Sequence, residues 1–128
     1  KFYMDTKGSN TDRHYRAGAE LVTARGLYET DVLFKRRLSI PEILKFYNQD
    51  FVILEGVTDF DLPRILCASN IEDVKVRMTP GVFAISGVIS NGMTSYEGIP
   101  VINALTDVER LTDLVERKAL DWSNINGS

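Results

Sequence analysis

Apolar and polar positions follow one another in a pattern that predicts short strands interleaved with capped helices. The densest apolar run is Phe51-Val52-Ile53-Leu54, closed at once by Glu55 and Gly56. Four consecutive apolar residues, two of them β-branched in the run 51–54, predict a strand buried on both faces of a parallel sheet. Residues 19–24 and 27–34 read as two more strands, joined at Arg25-Gly26 into an antiparallel hairpin at a sheet edge. Ile65-Leu66-Cys67-Ala68, the stretch from Val82 to Val88, and Pro100-Val101-Ile102 complete the strand-like runs.

Helix signals fall between them. Thr11 is read as the N-cap of a short helix through Ala17 that ends at Gly18. Ser39-Ile40-Pro41-Glu42 is a capping box with proline in the first turn. Its helix places Ile40, Ile43, Leu44 and Tyr47 on one face and stops near Asn48. Ile71-Glu72-Asp73-Val74 is open between a helical turn and a loop, and Pro80-Gly81 ends whatever forms. Thr106-Asp107-Val108-Glu109 reads as a second capping box, leading into a helix that turns Val108, Leu111, Leu114 and Val115 inward and ends near Leu120. The order of strands and helices predicts an α/β fold, a mostly parallel sheet with flanking helices and an edge β-hairpin. Residues 1–120 are read as a single domain and 121–128 as a polar, frayed tail.

Composition narrows the function classes. The chain has 128 residues, 44% of them apolar and 26% charged, an ordinary globular balance. Its net charge of -3 gives no support to a nucleic-acid binder. The lone cysteine, Cys67, excludes a disulfide framework within the chain and is read as a small core residue. With one histidine besides, a multi-ligand zinc site is excluded, so any metal would be a hard ion on oxygen ligands. No apolar run approaches the roughly 20 residues of a membrane span, and a cytoplasmic protein is expected. The sequence opens on Lys1 with polar, loop-like material, and the expectation is an N-terminally incomplete chain.

Three blocks of sequence carry a family resemblance. Phe2-Tyr3-Met4-Asp5, Gly8, Thr11, Arg13-His14 and Ala17-Gly18-Ala19 form the first. Val52-Ile53-Leu54-Glu55-Gly56 is the second and Pro63-Arg64-Ile65 the third. In order and spacing these blocks resemble the molybdopterin-guanine dinucleotide biosynthesis protein B (MobB) family, over most of residues 2–115. Asn10, where that family usually has aspartate, and Val57-Thr58-Asp59 depart from its pattern. The resemblance implies a P-loop NTPase-like fold with the first β-α unit missing. It implies a GTP-binding accessory protein in molybdenum cofactor biosynthesis, with slow GTPase activity in the intact protein and GTP and Mg2+ as cofactors. The implied partners are a molybdopterin guanylyltransferase (MobA-like) and a guanine nucleotide; a homodimer is expected because exposed sheet edges invite pairing, and neither nucleic acid nor membrane is expected as a partner. No Gly-x-x-x-x-Gly-Lys-Ser/Thr run occurs in the 128 residues, and this is the loop that cradles phosphates in such proteins.

The candidate site residues follow. A carboxylate at the C-terminal end of a buried strand can hold a metal ion, orient a water or accept a ligand hydrogen bond; it can also merely serve a turn. The resemblance gives Glu55 a catalytic place, orienting water or binding Mg2+ through water. Asp5, Asn10 and Thr11 precede a short helix whose N-terminus can bind an anion or order a loop near phosphates, Thr11 being otherwise only a cap; Arg13 can fork to phosphate or pair with a carboxylate such as Glu55, and Gly56 is placed with the nucleotide site. His14 is open between packing and chemistry. Lys35-Arg36-Arg37 is either a solvated loop or a contact for phosphate or an acidic partner. The competing reading is a non-enzymatic adaptor or dimerisation module that binds a cofactor-biosynthesis partner through the hairpin and this basic run.

Overall fold

The computed structural model describes residues 7–127, so Asp5 and the Phe2-Tyr3-Met4 part of the first block lie outside the described residues. The chain divides into two compact units, residues 1–48 and residues 49–128.

In the first unit, helix α1 (Asn10–Arg16) precedes strands β1 (Leu21–Arg25) and β2 (Thr30–Phe34) and helix α2 (Ile40–Leu44). The cap of α1 is Ser9, not Thr11: Ser9 Oγ accepts from the Asp12 amide at 3.1 Å. Thr11 instead spends its hydroxyl on Ser9 Oγ, 3.0 Å away. The other end closes as expected. Gly18 adopts φ 102°, its amide donates to Tyr15 O, and the Ala19 amide donates to His14 O, a complete Schellman motif. The hairpin forms as read, with Leu21 opposite Phe34 and Arg25 opposite Thr30. The first capping box also forms, Glu42 N donating to Ser39 Oγ at 3.3 Å and Ser39 N to Glu42 Oε2 at 2.8 Å. Helix α2 is shorter than its pattern suggests. It ends at Leu44, and the Phe46 and Tyr47 amides close two tighter turns on Ile43 O and Leu44 O. Val22, Ile40 and Leu44 are buried, and the Phe34 and Phe46 rings meet at 5.7 Å.

In the second unit, strand β3 (Arg64–Cys67), helix α3 (Ile71–Arg77) and strand β4 (Val82–Ser86) make a parallel strand–helix–strand unit. Strands β5 (Ser95–Tyr96) and β6 (Ile99–Pro100) form a small antiparallel pair. Val101 then bridges Ile85 in parallel, so the chain joins the outer edge of β4 there. The Ile102 amide donates to Ile85 O at 2.8 Å in the same place. Helix α4 (Val108–Lys118) follows, and residues 122–127 coil into 3-10 turns. Leu66, Val74, Ile85 and Val101 centre the core, with Met78 and Tyr96 packed against it. The fold class is therefore α/β as expected, with parallel pairing confined to β3, β4 and Val101 among the described residues.

Further expectations are corrected. Cys67, read as a small core residue, is exposed, because β3 alternates and buries Leu66 on its other face. Residues 51–54 are not a strand buried on both faces. A strand exists through its ladder, and no described residue pairs with this segment. Its side chains alternate, Val52 and Leu54 half-buried, Phe51 and Ile53 exposed, with Ile53 at 90%. The run is extended with one face covered. The second capping box does not form either: α4 has Asp107 as its N-cap, with no side-chain cap bond. Asn103 takes control of the turn before it, accepting the Thr106 and Asp107 amides on its carbonyl and the Leu105 amide on its side chain. Thr106 is left one residue before the N-cap.

Candidate functional site

In the first unit, Asn10, Thr11 and Arg13 share one short helix. Asn10 and Arg13 are exposed and Thr11 is half-buried. Asp12, between them, is the structural hub. Its carboxylate accepts the Gly8 amide at 2.7 Å and pairs with Arg16 Nε at 2.9 Å. The loop before the helix is thus fixed by local bonds, and Asn10, Arg13 and His14 project outward from it.

The basic run is largely occupied within its own unit. Lys35 Nζ donates to Tyr15 O at 3.1 Å, at the C-terminal turn of α1 where a cation is favoured. Arg36 makes a forked contact with Glu42, at 3.1 and 2.7 Å. That fork, with the bonds from Ser39, lowers the Glu42 carboxyl from its ordinary 4.5 to about 2. The same hydrogen bond raises Arg36. Two of the three cations therefore hold the hairpin to its neighbouring helices.

In the second unit, Glu55 and Gly56 form the bend that follows the extended run 51–54. Glu55 is exposed, and Gly56 has φ 71°, a left-handed turn with open space where a Cβ would project. A bound Mg2+ beside phosphates takes one or two carboxylates, the rest of its shell being phosphate oxygens and water. Glu55 is of the right donor type for that. No group of three His, Cys, Asp or Glu able to hold a metal occurs among the described residues. The phosphate-cradling loop is not part of the sequence present, so these residues do not by themselves fit a complete GTP and Mg2+ site.

The parallel unit offers another feature, which the sequence pattern did not single out. Past the carboxyl ends of β3 and β4 lies an open cleft of about 400 Å³. Ser69, Asn70, Ile71 and Glu72 form one wall, and Val88, Ile89, Gly92 and Met93 the other. Open α/β sheets bind ligands at this end of their strands. The first wall is built by a reciprocal cap, Asn70 Oδ1 accepting the Asp73 amide at 2.9 Å and Asp73 Oδ2 the Ser69 amide at 3.0 Å. The second is stapled to it by the Ile89 amide, which donates to Ala68 O at 3.2 Å. The cleft is mostly apolar, with Glu72 as its one charge; it offers no nucleophile–base pair. The signal that would have found it was Asn70-x-x-Asp73 placed directly after an apolar strand.

No family model matches the chain. A curated Bacillus subtilis (strain 168) relative, described as a probable molybdopterin-guanine dinucleotide biosynthesis adapter protein, is 26% identical over 102 residues. That match takes in 77% of this chain and 59% of the relative, so the chain spans somewhat over half of the relative's length. The solved structure of Bacillus subtilis MobB superposes with a TM-score of 0.66, covering 86% of this chain and 74% of that one at 24% identity. The chain is MobB-like. The resemblance read from the sequence is borne out by a sequence relative and by a shared fold. No helix among the described residues is long and apolar enough to cross a membrane.

Proposed function

We propose that this MobB-like chain is an accessory adapter in molybdopterin guanine dinucleotide biosynthesis, acting on the enzyme that attaches GMP to molybdopterin. The observation that carries the reading is the coincidence of a MobB fold over 86% of the chain with a curated adapter relative. The local geometry agrees with a binding role: exposed helix residues on α1, an apolar cleft beyond β3 and β4, and no assembled acid–base or metal cluster among the described residues. The reading includes a cytoplasmic homodimer with a molybdopterin guanylyltransferase (MobA-like) as its partner. Isothermal titration of that enzyme with the chain tests it, a saturable heat being expected and a flat titration overturning it.

The finer part of the proposal is a guanine nucleotide contacted by Asp5, Asn10, Thr11, Arg13 and Gly56, with Glu55 oriented toward phosphate-bound Mg2+ or water. An arginine fork and the amides of a helix start are groups suited to phosphate oxygens. Glu55→Gln keeps size and polarity and removes the charge. In a version of the chain restored with an upstream phosphate-loop segment, Mg2+-dependent binding of a fluorescent GTP analogue is expected to weaken in Glu55→Gln at least about tenfold, the scale of a lost charge-assisted contact. Equal binding by the two removes Glu55 from the site.

A further inference from the structure

We infer that the cleft beyond β3 and β4 holds the ring of a pterin, with Glu72 recognising its 2-amino-4-oxopyrimidine edge. This rests on the adapter reading above and names the part of the molybdopterin substrate that the chain carries. The cavity of about 400 Å³ falls in the size range of small-molecule sites. Its second wall is held by its own bonds. Ser90 Oγ donates to Gly87 O at 2.6 Å and Gly92 N to Ile89 O at 3.2 Å, which sets the loop after β4. Asn103 Nδ2 donates to Asn91 Oδ1 at 3.1 Å and ties that loop to the chain leaving Val101. Ile71 on one side and Val88, Ile89 and Met93 on the other offer aliphatic and thioether surface to a flat ring.

The polar groups of the cleft then choose among flat rings. Asp73 Oδ2 is spent on the Ser69 amide and Asn70 Oδ1 on the Asp73 amide, so Glu72 supplies the carboxylate that a ligand meets. A carboxylate has two acceptor oxygens and no donor. It matches a ring edge with two adjacent donors, the N3–H and 2-amino group of a pterin, in a fork like the one arginine makes. Among the described residues the lining holds no cation, so the anionic part of the ligand stays outside. In molybdopterin the phosphate lies at the end opposite the amino edge, where a guanylyltransferase has to reach it. Guanine offers the same donor pair, but its nucleoside sets a hydroxylated ribose against aliphatic walls. Gly92 lines the cleft with φ -126°, outside the left-handed region that favours glycine, and open space lies where its Cβ would project. A side chain at that position occupies cleft volume without meeting other atoms.

Fluorescence titration of the full chain with pterin and with lumazine, which has a carbonyl in place of the 2-amino group, tests the proposal. The wild type is expected to bind pterin saturably and lumazine at least about tenfold more weakly, because a carbonyl then faces a carboxylate oxygen. Glu72→Gln presents one acceptor and one donor, the complement of lumazine, and is expected to reverse the preference. A folding defect weakens both ligands and does not reverse their order. Gly92→Val is expected to weaken pterin at least about tenfold at an unchanged urea midpoint. No pterin binding by the wild type, the two ligands bound alike, or an order unchanged in Glu72→Gln overturns the inference, as does Gly92→Val binding like the wild type. Guanosine displacing pterin at an equal or lower concentration overturns the pterin and makes the cleft a guanine site. The adapter reading stands or falls on the calorimetric titration with the guanylyltransferase; a saturable heat there without pterin binding here removes the cleft alone.

Discussion

Gly87 leaves β4 at φ 91°, and a Cβ built there would stand 2.7 Å from the carbonyl oxygen of Ala68. Backbone conformation and close packing both demand glycine at this point, where the two walls of the cleft are tied together. Gly87→Ala is expected to destabilise the fold by about 1–3 kcal/mol in urea denaturation. Glu42 makes a different kind of prediction. Its pKa is lowered on folding from 4.5 to about 2, so its contribution is fully present above the unfolded value and is lost as pH falls through the folded one. The melting-temperature gap between wild type and Glu42→Gln should be constant above about pH 5.5 and close between pH 4.5 and 2. A gap that does not change with pH would detach the Arg36 fork from that charge. The box at Ser39 was legible because its partners sit three residues apart in the chain. The apparent box at Thr106 was not, because Asn103, outside the four-residue window, captured the amides that precede the helix.

Strand runs show in sequence wherever the partner strand is close in the chain. The hairpin β1–β2 and the strands β3 and β4 are each local and were readable, while α3 between the last two was left open. The run 51–54 shows what composition leaves open: four apolar residues specify burial, while a strand also needs hydrogen-bonded neighbours. Stability should follow this distinction. Ile85, fully buried in β4, is expected to cost about 2–5 kcal/mol on truncation to alanine. Ile53→Ala, at an exposed position, should change the unfolding free energy in urea by less than about 0.5 kcal/mol. Equal losses at the two positions would mark 51–54 as a strand buried on both faces after all.

At the scale of the molecule, periodicity and capping gave the α/β class, and the family came from three short blocks rather than from any pattern of apolar spacing. Of the candidate site, Asn10, Thr11 and Arg13 emerge on one short helix and Glu55 and Gly56 on one bend, each in its own unit. The cleft beyond β3 and β4 escaped notice because it is made by two walls brought together only through parallel pairing, with residues 69–72 and 88–93 distant in sequence. These features sit on a MobB-like scaffold, for which the adapter role is the proposal. The rate at which a molybdopterin guanylyltransferase forms molybdopterin guanine dinucleotide, measured with and without saturating amounts of this chain, tests that most directly. The adapter role predicts a faster or more complete conversion when the chain is present; identical progress curves would contradict it.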